Sequence, residues 1–330
     1  MNRRIFLLAL LMLMLAMPFH TRASDAGEDE GTDFIQWMDF EVPLKVLQQA
    51  YEYDINSRNG DVPLDFVQLL AYAAAKNWGN FDDEKSKAMD DVVKLINNGE
   101  RLIDIANNLK LYDYYLAAYE AVLGGFVGEF EVAVTNDAGQ ATFERRYGLK
   151  VFSPIAKGYY YTHNDDFGNP RNYGYNRPHL GHDLFGSVGA PIISVEDGLV
   201  EALGWNQYGG WRVGIRSLDG KRYYYYAHLK KDNPYAAWLD IGSKVRAGDV
   251  IGYLGSTGYS RQENVSNIKV PHLHFGMQII FDESQKDGYN QIWIDTYNIV
   301  RFLEQNRMKV VMNNKGEYIR TIEIINTPME

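Results

Sequence analysis

The chain has 330 residues, a formal charge of −10 and no cysteine. Its 46% hydrophobic and 23% charged content is that of a folding chain long enough for about two domains, not of a disordered one. The lack of cysteine excludes disulfides and lipid attachment through an N-terminal cysteine. The acidic balance argues against nucleic acid, or anionic lipid, as a charge-driven partner.

Arg3 and Arg4 precede an apolar run from Ile5 to Met17, and Thr21-Arg22-Ala23 offers a cleavage site. Residues 1–23 therefore read as a secretory signal peptide. The run is short for a membrane span, which needs about 20 residues. The expectation is a secreted protein with no stable membrane span once the signal is cleaved. An uncleaved N-terminal anchor is the alternative. Residues 24–33 are acidic and contain glycine, and read as a linker.

From residue 34 to about 129 the pattern is helical. Leu44 to Asn56 and Leu64 to Lys76 repeat apolar residues at helical spacing, each after a Val-Pro-Leu start. A further helix is expected from Asp83 or Glu84 to about Ile96. A short piece follows at Arg101 to Leu109, then Tyr112 to Leu123, ending at Gly124-Gly125. From Phe130 the texture becomes β: Glu131 to Val134, Thr142 to Val151, Gly158 to Thr162, and a hairpin of Arg212 to Arg216 with Arg222 to Ala227 around Asp219-Gly220. No regular helices interrupt these strands, so an antiparallel sheet, closed or sandwiched, is expected. Asp295 is placed to cap a helix to about Asn306, and short strands follow. The fold class is α+β and multidomain. An all-α region (34–129) precedes a mainly antiparallel β domain (130–282), and a C-terminal helix with short strands closes the chain (283–330).

Six of the seven histidines fall between His163 and His274. Two short patterns stand out, His179-Leu180-Gly181-His182-Asp183 and His272-Leu273-His274. On strands, alternate residues share a face. His179, Gly181 and Asp183 would then point one way, as would His272 and His274, and Gly181 would leave room for a metal. Either pattern alone is common among ordinary strand histidines; together they are specific. Two imidazoles and one carboxylate make a catalytic zinc set when the fourth position is left to water. The water's pKa then falls to about 7. There is no His-Glu-x-x-His, so a histidine must take the proton; His272, sharing a face with His274, is the candidate.

His179-x-Gly181-x-Asp183, then Tyr226-Ala227-His228-Leu229, then His272-Leu273-His274-Phe275 resembles the M23 (lysostaphin/LytM-type) zinc peptidases. Gly189 to Ile192, Asp197 to Val200, Val245 to Gly252 and Gly255 to Gly258 fall between in the same order, and the likeness covers about residues 150–282. It implies a LytM-like β domain with one Zn2+ per chain on His179, Asp183 and His274. It also implies His228 and His272 as catalytic residues and peptidoglycan peptides as substrate. The activity would be that of a zinc metalloendopeptidase. Two other readings belong to the same resemblance: a non-catalytic scaffold or adaptor in cell-wall remodelling, which would lack ligands, and an amidase cutting the sugar–peptide bond. This chain departs from the family pattern at His182, where an apolar residue is usual. It departs again in the long segment Tyr259 to Val270, expected beside the cleft. His182 should face away from the metal. Of Tyr223 to Tyr226, alternate rings should pack into the core or line a groove.

Overall fold

The computed structural model describes residues 34–82, 84–135 and 141–325. The signal segment, the acidic linker and Asp83 lie outside the described residues.

Five helices open the described chain: α1 (Leu44–Ser57), α2 (Phe66–Asn77), α3 (Lys87–Asn97), α4 (Leu102–Ala106) and α5 (Tyr112–Leu123). Pro43 stands at the N-cap of α1 in extended conformation, and Asp65 caps α2 by accepting from the Gln68 amide at 2.8 Å. The third helix begins at Lys87, later than expected. The Ser86 hydroxyl accepts from the Met89 amide, which makes Ser86 the cap. Asp54 ties these elements to the β region: its carboxylate accepts from the Phe66 amide at 2.8 Å and the Tyr147 hydroxyl at 2.7 Å.

The strands are β1 (Val127–Thr135), β2 (Ala141–Leu149), β3 (Tyr161–His163), β4 (Pro170–Arg171), β5 (Arg177–Pro178), β6 (His182–Gly186), β7 (Pro191–Ile193) and β8 (Gly198–Asn206). There follow β9 (Gly210–Ser217), β10 (Arg222–Ala227), β11 (Lys244–Val245), β12 (Val250–Tyr253) and β13 (His272–Ile279). The last are β14 (Ile292–Ile294), β15 (Val310–Met312), β16 (Tyr318–Arg320) and β17 (Ile324–Ile325), with helix α6 (Tyr297–Leu303) after β14. The main sheet runs β11-β8-β9-β10-β13-β6-β3, with β14 beside the second half of β13. Every ladder between these strands is antiparallel, as expected from the uninterrupted run of strands.

Strand alternation separates the two faces of this sheet. Tyr224, Tyr226, Phe275 and Met277 are fully buried in the core shared with the helices. Tyr223, Tyr225, His274 and Gln278 face a groove on the other side. The buried guanidinium of Arg222 crosses from sheet to helices. It pairs with Glu196 at 2.8 Å and donates to the Ala121 carbonyl of α5 at 2.9 Å. Asp295 accepts from the Tyr297 amide at the start of α6, and Phe302 of α6 stacks on Phe66 with ring centres 5.7 Å apart. The chain from Phe34 onward forms one compact unit. No helix among the described residues is long and apolar enough to cross a membrane.

Candidate active site

The His179–Asp183 motif is not one strand. β5 stops at Pro178 and β6 starts at His182, with His179 to Gly181 between them. A short ladder of Pro170 with Pro178 and Arg171 with Arg177 turns the chain back. His179 is then fixed by backbone bonds from its amide to the Asn169 carbonyl (2.9 Å) and from the Gly168 amide to its own carbonyl (2.8 Å). Gly181 has a different role from the one expected. A Cβ there would lie 2.6 Å from Cε1 and Nε2 of His274, so the glycine makes room for that ring.

Register brings the remaining groups together. His274 pairs with Asp183 across β13 and β6, and Ala227 of β10 pairs with His274 on the other side. His179 Nε2 lies 2.8 Å from His274 Nδ1 and 3.1 Å from Asp183 Oδ1, which is 3.2 Å from His274 Nδ1. Donors bound tetrahedrally at ~2.0–2.1 Å from one ion stand about 3.3 Å apart. The three groups therefore suit a single metal ion by distance and by donor type.

His272 and His228 stand beside this group. Their ring centres are 4.8 Å apart, and His228 is 5.9 Å from His274. His272 Nδ1 donates to the Val270 carbonyl (2.8 Å) and His228 Nδ1 to the Thr257 carbonyl (2.9 Å). A carbonyl only accepts, so each ring carries its proton on Nδ1 and keeps the Nε2 lone pair free. His272 Nε2 is 3.6 Å from Asp183 Oδ1. His228 follows the end of β10 with φ at 62°, a left-handed conformation uncommon outside glycine.

Two residues unmarked by any motif complete the site. Asp166 accepts from His182 Nδ1 at 3.2 Å, and its backbone carbonyl accepts from His179 Nδ1 at 3.0 Å. That bond leaves His179 Nε2 as the free donor atom. Arg171 Nη2 donates to Asp166 Oδ2 and Asp183 Oδ2, each at 2.9 Å. His182 points away from the three-donor group, as expected, and its Nε2 accepts from His163 Nδ1 at 2.6 Å. No spacing rule marks Asp166 or Arg171, because the β4–β5 turn places them.

Burial acts on His179, Asp183, His274 and His228. It lowers His179, but hydrogen bonds to Asp166 and Asp183 and their charges outweigh it, leaving this imidazole at about 9. Burial raises Asp183, yet hydrogen bonds from His179 and His274 hold it well below the usual carboxylate range. Burial also lowers His274, and pushes His228 well down with help from the neighbouring His272 and His274. Metal binding would therefore displace a proton from His179.

The group opens into a groove of about 570 Å³. Tyr223 and Tyr225 line it while Tyr224 and Tyr226 are buried, so the tyrosine run serves both faces. Of the segment Tyr259 to Val270, Tyr259 lines the groove, stacked on Tyr173 at 4.6 Å. Further along, Asn264 accepts from Trp211 Nε1, which pins the segment to β9.

Comparison with known proteins places this geometry. The sequence model of Peptidase family M23 matches residues 177–289. The chain is 41% identical over 117 residues to the L-Ala–D-Glu endopeptidase of Bacillus subtilis, covering 36% of this chain and 34% of that protein. It is 38% identical over 98 residues to lysostaphin of Staphylococcus simulans, covering 29% of this chain and 17% of lysostaphin. The matched segment thus spans about a third of the first relative and less of the second. The crystal structure of a lytM protein from Ruminococcus gnavus superposes with a TM-score of 0.50 at 22% identity, covering 82% of this chain and 92% of that one. That likeness extends the shared fold to the helical region.

Proposed function

Residues 177–289 being a peptidase family M23 domain, we propose that the protein is an exported zinc metalloendopeptidase that hydrolyses peptide bonds of bacterial peptidoglycan. The observation that carries this reading is the convergence of three donors, 2.8–3.2 Å apart, with two imidazoles that keep Nε2 free. His179, Asp183 and His274 would hold the ion; when bound, zinc polarises a carbonyl and makes water acidic enough to ionise near neutral pH.

The chain's own groups do the rest. Asp166 keeps the His179 proton on Nδ1, and Arg171 holds Asp183 by its other oxygen. His272 Nε2 takes the proton of the attacking water and later returns it to the leaving amine. His228, kept neutral by burial with its Nδ1 proton on the Thr257 carbonyl, orients the attacking water through its free Nε2. The tyrosine-lined groove holds the peptide on either side of the scissile bond. A scaffold would have lost ligands, whereas all five positions are filled here.

The test is mass spectrometry of purified peptidoglycan after digestion, with and without a zinc chelator. New free amino and carboxyl ends within peptides, lost on chelation and restored by zinc, are expected. Release of intact stem peptides from the sugar would make it an amidase instead.

A further inference from the structure

The groove carries a positive charge that the metal site does not use. Arg212 and Arg216 lie on one face of β9, and both line the groove. Nε of Arg212 is buried without a hydrogen-bond partner, and so is Nη1 of Arg216. Arg216 is only 8% exposed; its other nitrogens grip Glu201 at 2.9–3.2 Å, which neutralises that acid. No carboxylate among the described residues lies within ion-pair distance of Arg212. Arg177, also lining the groove, donates to the Tyr173 carbonyl and stacks on Tyr208 at 4.7 Å, again with no carboxylate partner among the described residues. In a chain of charge −10 this concentration of arginine is local, not a reflection of composition.

Buried guanidinium N–H groups without acceptors are costly, and a carboxylate satisfies them in a fork. Their position also sets the distance. Val213 pairs with Tyr226, and the next residue, Ala227, pairs with His274. Arg212 thus stands level with His274 two strands away, about 10 Å. That is within two or three residues of the bond to be cut. Arg216 lies about 13 Å further along the same strand.

We propose that this part of the groove is a carboxylate subsite with Arg212 as its ligand, so that the substrate is an acidic stem peptide and not an uncharged glycine bridge. The proposal rests on the peptidoglycan reading. It is a property of binding, so it is testable without turnover.

The probes are a synthetic L-Ala-γ-D-Glu stem peptide with its α-carboxylate free and the same peptide with that group amidated. Calorimetry on the zinc-loaded full chain should show the carboxylate form binding about 10- to 100-fold more tightly. Arg212→Gln should bring the ratio near one, and Arg212→Lys, which keeps charge but loses the fork, should fall between. Equal binding of the two peptides by the unaltered protein overturns the subsite, as does a ratio unchanged in Arg212→Gln. Selective binding without hydrolysis of either peptide or of purified peptidoglycan would instead remove the peptidase reading and leave the subsite standing. Equal binding with hydrolysis of both would do the reverse.

Discussion

Asp166 settles which nitrogen His179 offers, and it does so with a backbone carbonyl as well as a carboxylate. Three variants separate the roles of the groups around it. His274→Ala removes one of three donors, and zinc content should fall severely. Asp166→Asn weakens the orienting contacts, and zinc affinity should drop by about 10- to 100-fold with the fold intact. His272→Ala should keep its zinc while turnover falls by about 10²–10⁴-fold. Zinc per chain, measured beside turnover on a cross-linked muropeptide, checks all three; a His272→Ala protein without metal would reverse the assignment. Asp295 gives a prediction in pH. Burial, with the charge of Asp165, raises its carboxyl to about 6, against about 3.9 unfolded. Between those values the native state holds the extra proton. Stability therefore falls as pH rises through this window, and the loss is complete above it. Asp295→Asn keeps an oxygen for the Tyr297 amide and removes the charge. It should gain about 1–3 kcal/mol in urea unfolding near pH 7.5 and nothing near pH 4. An equal gain at both pH values would place the cause elsewhere.

The elements that build the site are short, and their contacts make up for their length. β4 and β5 have two residues each, yet they hold His179, Asp166 and Arg171 in one cluster. A larger side chain at position 181 would push the His274 ring out of it. Between the helices and the sheet, the Arg222–Glu196 pair has the same function. Arg222→Met would leave Glu196 half-buried with the Tyr224 hydroxyl in place of a cation, at a cost of about 2–4 kcal/mol. Adding Glu196→Gln removes that charge and should recover part of the loss, a coupling that a double-mutant cycle of denaturation curves reads directly. Strict additivity would mean the two side chains act separately. Helix periodicity located Tyr112–Leu123 to the residue, and alternation sorted Tyr223 to Tyr226 between two faces. The start of α3 was misplaced because Asp83 and Glu84 resemble caps as much as Ser86 does, and only the hydrogen bond to Met89 distinguishes them.

From Phe34 onward one core serves helices and sheet together. Among the described residues none before Arg171 lines the groove; the carbonyl end of α5 meets Arg222, on the opposite face of the sheet. The helical region thus supports the sheet from behind. Phe302 sits at that junction, fully buried against Phe66 and edge-on to Tyr51. Phe302→Ala should cost about 3–5 kcal/mol. Helical circular dichroism and tryptophan fluorescence from the sheet should shift to a lower denaturant midpoint together. Separate midpoints would show two independently folding parts. The donor types, the motifs and the alternation of strands were legible from residue order, because each depends on neighbours a few positions apart. Asp166, Arg171 and the unpaired arginines of β9 were not. Their roles arise where β4 turns back on β5 and where β9, β10 and β13 align in register, and those contacts join residues of separate strands. Spacing within a segment carries no information about such pairings, which are set by how the whole sheet closes.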